Sequence, residues 1–289
     1  MNRRKFYQRI SGLIDPQQLC SKKIAIVGLG SGGSRVAAEL GRMGVQLLLV
    51  ERPHEKLEEH NIVRHLLGYS SLGRSKLTET AHYLAEVNPG LYPCCHALDV
   101  VEQPASFTRL LTEQRPDVIA VCTDNEASKH VINEVALRLG IPQIGAGVYD
   151  GGIGGEIYIV VPGRACYGCI ADHLQLERYS PPRPPGAGYD GNEPPTPAVS
   201  ALNLDIEQIA LLQSRFLLEL LFAGQSTFLG FNIEFNLCVF ANRLVPGTFE
   251  RPLHADFFSI PRRENCLECG GAPKDVDEEA EKILTRLAG

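Results

Sequence analysis

The 289-residue chain has no apolar run of the ~18 residues that a membrane-spanning helix needs. Its first segment, Met1 to Cys20, holds no continuous apolar stretch of the kind a secretory leader uses. No signal peptide is expected, and the cytoplasm is the default compartment. A basic excess is also missing: 28 Lys and Arg against 34 Asp and Glu leave a formal net charge of −6. Nucleic-acid-binding surfaces carry the opposite sign, so neither nucleic acid nor a membrane is an expected partner. There are no internal repeats, which excludes solenoids and propellers. The cysteines do not form an even set either. Of nine, four make two Cys-x-x-Cys pairs, Cys166/Cys169 and Cys266/Cys269. In a cytosolic chain such pairs point to metal or redox chemistry before they point to disulfides. Cys20, Cys94, Cys95, Cys122 and Cys238 are left over.

What is present reads as an α/β protein. Ile24–Val27 is a short apolar run, as a strand buried on both faces requires. A glycine loop follows, then a helix from about Ser34 to Met43 and a second strand over Val45–Val50. The polar segment Glu51–Ser75 reads as loop with short helices. Residues 76–87 read as a helix that stops before the turn signal Asn88-Pro89-Gly90. Leu91–Leu98 and Val118–Val121 follow as strands, Asn125–Leu139 as a helix closed by Gly140, and Ile141–Ile144 as a fifth strand. Alternating strand and helix predicts a mostly parallel sheet with helices on both faces. After residue 150 the pattern changes. Ile153–Val161 and Phe228–Leu244 read as longer, antiparallel strands, 201–222 as an apolar-rich helix, and 274–288 as a final surface helix. Between them Ser180–Pro197, dense in Pro and Gly, cannot be a regular element.

Gly28-x-Gly30-x-x-Gly33, with Ser31 and Gly32 inside it, follows a strand and opens a helix. That is the context in which the pattern binds phosphate: backbone N–H groups and the helix dipole face the anion. Glu51, at the end of the next strand, is placed to accept hydrogen bonds from a ribose. Read alone, this fits NAD, FAD or ATP. Asn61, Arg64 and Lys76 downstream supply an amide and two cations, which triphosphate chemistry needs and a dehydrogenase does not. Each taken singly also reads as a solvated surface group. Asp124 and Asn125 follow the fourth strand, where ligands of open α/β sheets bind. Asp124 suits Mg²⁺ there and equally suits a helix N-cap. Four thiolates from the two Cys pairs make a closed tetrahedral zinc set. A thioredoxin-type redox pair is the weaker reading, because neither pair sits where the sequence clearly begins a helix.

Together these residues resemble the ubiquitin-activating-enzyme-like (ThiF/MoeB/HesA) adenylyltransferase family. The landmarks are Gly28 to Ser34, Glu51, Asn61-x-x-Arg64, Gly73-Arg74-x-Lys76, Asn88-Pro89, Cys122-Thr123-Asp124-Asn125 and the two Cys pairs, running from Tyr7 to about Cys269. The resemblance implies a Rossmann-like, mostly parallel sheet flanked by helices, with antiparallel C-terminal strands and a Cys₄ zinc staple. It implies one adenylation domain over 1–289: an N-terminal helical arm at 1–22, a nucleotide-binding half at 23–150, and a zinc-stapled half at 151–289 with a crossover loop at about 178–200. It further implies ATP and Mg²⁺, a partner protein of ubiquitin-like or sulfur-carrier type ending in Gly-Gly, and adenylation of that terminal carboxylate with release of pyrophosphate. By the resemblance Glu51 holds the ribose, Asn61, Arg64 and Lys76 the phosphates, and Asp124 the metal. Arg9, in Tyr7-Gln8-Arg9-Ile10, enters the partner subunit's site in a homodimer; an ordinary basic helix is the other reading of that segment.

One departure bears on function. The family's thioester cysteine often lies before the helix at 201–222, and Pro194–Ser200 contains none; Thr196 and Ser200 are poor substitutes for a thiolate. The glycine-rich stretch Ala146–Gly155 and the loop at 180–197 are expected to form the groove for an extended tail. Adenylation of a peptide or tRNA-linked carboxylate, or a non-catalytic subunit of a heterodimeric activating enzyme, are the alternatives.

Overall fold

Ile24, Ala25, Ile26 and Val27 are all buried, because β1 (Lys23–Val27) has helices on both faces. In the computed structural model, which describes residues 2–174, 200–223, 234–270, 282–283 and 285–287, β1 lies inside an eight-stranded sheet. Its neighbours are β2 (Gln46–Glu51) and β4 (Val118–Val121), both parallel to it. β3 (Cys94–Ala97) and β5 (Gln143–Val148) extend the parallel set at either side. Then β6 (Gly154–Val160), β7 (Leu237–Ala241) and β8 (His254–Phe258) continue antiparallel, giving the order β3-β2-β1-β4-β5-β6-β7-β8. The expected fold class is the one observed.

Alternate residues of each strand feed two cores. Ile24 and Ile26 join Val36, Ala37 and Leu40 of α3 (Ser31–Met43), Leu77 and Leu84 of α5 (Lys76–Val87), and Ile209 and Leu217 of α9 (Asn203–Leu221). Ala25 and Val27 join Phe107 and Leu111 of α6 (Pro104–Gln114), Ile132 and Val135 of α7 (Glu126–Leu139), and Ile170 of α8 (Tyr167–Leu174). The short helices α1 (Arg3–Phe6) and α2 (Pro16–Ser21) form the N-terminal arm, and α4 (Glu59–Ile62) sits in the polar segment.

Several expected boundaries shift, each for a local reason. α3 starts at Ser31, not Ser34, since Gly32 and Gly33 are poor helix formers yet sit in its first turn. β2 runs one residue further, through Glu51, and β3 is confined to Cys94–Ala97. β5 begins at Gln143 and runs on through Gly145 and Gly147, which a propensity reading ends early. Three elements are new: α6, whose Phe107, Leu110 and Leu111 are buried at helical spacing; α8; and β8. Of Phe228–Leu244 only Leu237–Ala241 is strand, and 228–233 lie outside the described residues. The Pro/Gly loop at 180–197, with Thr196, also lies outside them. At the C-terminal end 282–283 and 285–287 are helical, but Ile283 and Leu287 are buried against the first core rather than lying on a surface. The carbonyl of Leu287 accepts from Lys22 Nζ at 2.6 Å.

Among the buried side chains of α9 three are polar, Gln213, Ser214 and Glu219, and Gln213 faces the sheet. Gln213 is buried, and its Nε2 donates to the carbonyls of Val121 at the end of β4 and Ile144 in β5, at 3.1 and 3.0 Å. Gln213→Leu strips both carbonyls of this donor without opening a cavity. Urea unfolding of that variant is expected to show a loss of about 1–3 kcal/mol.

Candidate active site

The sheet order reverses between β1 and β4, so the crevice beyond their carboxyl ends is where an α/β sheet takes a ligand. Two loops meet there. Gly28 has φ +93°, and a Cβ on it would stand 2.7 Å from the Cys122 carbonyl oxygen. A Cβ on Gly33 would stand 1.9 Å from the Gly28 carbonyl oxygen and 2.8 Å from the Cys122 Cβ. These two glycines let the loop fold on itself and against the end of β4. Gly30 and Gly32 differ: a Cβ on either would meet open space. α3 opens at Ser31 with no side chain capping it, so its first-turn N–H groups lack a side-chain partner. An uncapped thirteen-residue helix facing open space fits a phosphate.

Glu51 closes one side of the loop. It is buried, with Oε2 accepting from the Leu29 N–H at 2.6 Å and Oε1 from the Arg52 N–H at 2.8 Å. Burial raises its pKa, against the pull of those two N–H groups and of Lys76. The carboxylate keeps lone pairs for a diol. His65, which sequence reasoning passed over, holds the loop from the other side. Its Nδ1 accepts from the Leu67 N–H at 3.0 Å, so the ring proton is on Nε2, which donates to the Leu29 carbonyl at 2.9 Å. Burial, with Lys76 and Arg35 nearby, pushes its pKa down to about 4. Leu29 is thus gripped at its N–H by Glu51 and at its carbonyl by His65. Nothing in the sequence beyond adjacency to Arg64 marks that histidine.

Lys76 heads α5 and pairs with Glu55 at 2.8 Å. It lies close enough to bias both Glu51 and His65. Asn61 closes the first turn of α4: its Oδ1 accepts from the Glu58 N–H at 3.0 Å. The Arg64 N–H bonds back to the Asn61 carbonyl, so the two belong to one turn. Asn125, not Asp124, is the N-cap of α7, accepting from the Ser128 N–H at 3.4 Å. Asp124 is exposed at the end of β4, and the cap reading of it is excluded. Cys122 is beside the loop but is no nucleophile, because burial pushes its thiol up to about 12.

The N-terminal arm and the glycine-rich stretch lie as follows. Tyr7 is buried at the far end of α3, where its hydroxyl accepts from Asn88 Nδ2 at 3.1 Å and would crowd a Cβ on Gly44. Arg9, exposed two residues on, is therefore at the end of α3 opposite its own chain's glycine loop. Within the stretch Ala146–Gly155, Gly147, Gly152, Gly154 and Gly155 are crowded by the chain's own atoms, as is Gly145 just before it, while Gly151 has no neighbour closer than 3.7 Å. A Cβ on Gly145 would stand 2.1 Å from the Tyr158 ring, and one on Gly147 would stand 2.2 Å from Glu156 Oε1, so both strand positions are taken by β6 side chains.

The four cysteines converge behind α7. All four sulfurs lie within 4.8 Å of one another, with Cys166–Cys266 and Cys169–Cys269 at 3.6 Å and Cys166–Cys169 at 3.9 Å. A tetrahedron of Zn–S bonds of about 2.3 Å has edges of about 3.8 Å, so the set fits zinc. The first pair does sit at a helix start, that of α8, contrary to the sequence reading. The short Tyr167–Leu174 helix was hidden because its cysteines and Tyr167 face the core.

A model of the ThiF family matches residues 4–243. The chain belongs to the ThiF family. Among curated relatives, ubiquitin-like modifier-activating enzyme 5 of Rattus norvegicus is 29% identical over 172 residues, 56% of this chain and 42% of that protein. The Arabidopsis thaliana enzyme of the same name is 26% identical over 239 residues, 76% of this chain and 53% of that one. The matches span about half the length of these relatives. Among solved structures, E. coli MccB with ATP has a TM-score of 0.63 at 18% identity, covering 88% of this chain and 68% of that chain. PaaA has a TM-score of 0.64 at 15% identity, covering 89% and 81%. These structures establish the shared ThiF-type fold. No helix among the described residues is long and apolar enough to cross a membrane.

Two outcomes are expected. Since folded His65 titrates near 4 and an unfolded histidine at about 6.5, its contribution is complete above about 6.5 and is lost as pH falls toward 4. Stability curves of wild type and His65→Gln should differ in slope across that window, with a difference on the order of 3 kcal/mol. Elemental analysis should find one zinc per chain; Cys266→Ser should lose it and melt about 10 °C lower.

Proposed function

We propose that the chain adenylates a C-terminal carboxylate, that of a small ubiquitin-like or sulfur-carrier protein ending in Gly-Gly. The observation that carries this is the junction of the two loops at the β1/β4 crevice. An uncapped helix start after β1, a carboxylate at Glu51 ending β2 and an exposed carboxylate at Asp124 following β4 all stand at the carboxyl ends of neighbouring parallel strands. The names of the relatives, ubiquitin-like modifier-activating enzymes, support the substrate class.

In this reading the first-turn N–H groups of Ser31, Gly32 and Gly33 receive ATP phosphate oxygens, and Glu51 receives the ribose hydroxyls. Asn61, Arg64 and Lys76 neutralise and orient the triphosphate. Asp124 would hold Mg²⁺, which supplies charge neutralisation across the phosphates. A carboxylate oxygen of the partner attacks the α-phosphorus; that O–P bond forms as the bond to pyrophosphate breaks. The products are an acyl-adenylate and pyrophosphate. Burial of Glu51 and His65 keeps the Leu29 backbone fixed while charge shifts, the preorganisation on which such catalysis depends. The Cys₄ cluster would hold zinc and take no part in the reaction. The chain acts as a single adenylation domain, in the cytoplasm, and Arg9 reaches the partner subunit's site in a homodimer. Its place at the far end of α3 supports action in trans.

A peptide carboxylate is the second reading, favoured by likeness to E. coli MccB solved with its peptide MccA, at a TM-score of 0.63 and 18% identity.

ATP–pyrophosphate exchange dependent on a Gly-Gly-ended partner is the expected activity; no exchange with any cognate partner overturns the reading. Lys76→Ala and Asp124→Ala should each lower exchange by about a hundredfold or more with unchanged folding. Mixing Arg9→Ala with Asp124→Ala chains should restore about a quarter of wild-type activity if Arg9 works across a two-fold dimer, and none if it does not.

A further inference from the structure

The turn that carries Cys266 and Cys269 also carries Glu268, whose side chain points away from solvent into the seam between α7 and α8. Its neighbour Leu267 is fully exposed. Room for Glu268 comes from Gly168, where a Cβ would stand 2.8 Å from the carboxyl group. Cys166 Sγ stands 3.7 Å from Glu268 Oε2, and the other partners of that carboxylate belong to α7 or α8. Oε1 meets His130 Nδ1, and Oε2 accepts from Asn133 Nδ2 and, at 3.1 Å, from the Gly168 N–H.

The contacts continue toward the nucleotide crevice. Asn133 is fully buried, and its Oδ1 accepts from the Tyr167 N–H at 3.1 Å and from Gln143 Nε2 at 2.6 Å. The Tyr167 hydroxyl then reaches back to α7, donating to Glu126 Oε2 at 2.5 Å; Lys129 Nζ holds the other oxygen at 2.5 Å. Burial works against a charge on Glu126, but the Lys129 ammonium and the Tyr167 hydroxyl outweigh it and hold its pKa below the usual carboxylate range. Glu126 is the first residue of α7 and follows Asp124 and Asn125 directly. The helix is therefore gripped twice, at its first residue and again at His130 and Asn133, and both grips are seated on the segments that carry the four cysteines.

We propose that Glu268 is a positioning residue: seated by the Cys266–Cys269 turn of the cysteine cluster that would hold zinc, it fixes α7 through His130, Asn133 and the Tyr167–Glu126 bond, and so sets where Asp124 stands in the nucleotide site. This rests on the adenylation reading above. It goes beyond a staple that only adds stability, because it makes occupancy of the cysteine cluster a determinant of nucleotide affinity. The effect belongs in KM for Mg-ATP rather than in the chemical step, since no atom of the relay reaches the reacting groups.

The test uses the full chain and three variants, with zinc content, KM and kcat for ATP in pyrophosphate exchange, and amide hydrogen exchange over 124–133. Glu268→Ala should keep its zinc, raise KM for Mg-ATP about tenfold, leave kcat within about twofold, and speed exchange at the start of α7. Glu268→Gln, which can accept from Asn133 and Gly168 and donate to His130, should restore both readouts. Tyr167→Phe removes a hydroxyl that bonds only on the α7 side, and should raise KM in the same direction. Wild-type KM and wild-type exchange at 124–126 in Tyr167→Phe overturn the proposal, whether or not Glu268→Ala keeps its zinc. If the wild type binds no ATP, the nucleotide reading fails; unchanged hydrogen exchange in Glu268→Ala and Tyr167→Phe then still decides the coupling.

Discussion

The backbone contact between the glycine loop and the end of β4 is the constraint on which the rest depends. Gly28 and Gly33 lie against Cys122 at distances that leave no room for a single added carbon. That contact brings the start of α3 beside the start of α7, two helix N-termini from opposite faces of the sheet. Three buried side chains hold it. Glu51 and His65 grip Leu29 from either side. Gln213 ties the end of β4 to β5 from α9, with Cys122 Sγ 3.6 Å from its Oε1. The site is thus built from backbone geometry first and side-chain chemistry second.

This order explains what the sequence could and could not tell. The glycine loop, the buried strands and the cysteine pairs were legible because each is a local pattern with one physical use. α6 was legible in principle: Phe107, Leu110 and Leu111 have helical spacing behind an initiating proline, and the long gap between strands hid them. His65, Gln213 and Glu268 were not legible. Their roles depend on partners 36, 92 and 138 residues away, and no local pattern reports such distances. Gln213 left the faintest trace, as a polar residue on the apolar stripe of α9.

Burial also sorts the cysteines. Cys122 and Cys238 are thiols that burial keeps protonated, each pushed up to about 12. Cys166, Cys169, Cys266 and Cys269 gather in a volume where four thiolates demand a cation. The same residue type therefore does different work in two places: packing as single thiols at Cys122 and Cys238, and clustering as a set of four behind α7. The antiparallel half of the sheet, which carries no landmark of the crevice, matters because β6 leads directly into the first cysteine pair and β8 into the second.

The β5–β6 ladder has a consequence for how this chain can change. Tyr158 lies across Gly145 and Glu156 across Gly147, each large residue filling the place of its partner's missing side chain. Neither member can be altered in size alone: a larger residue at 145 collides with the ring, and a smaller one at 158 leaves a void between sheet and α7. Each pair can drift only as a pair. Lineages descended from this chain should therefore carry their record of shared ancestry in correlated exchanges at 145/158 and 147/156, even where the loops around the crevice have diverged freely.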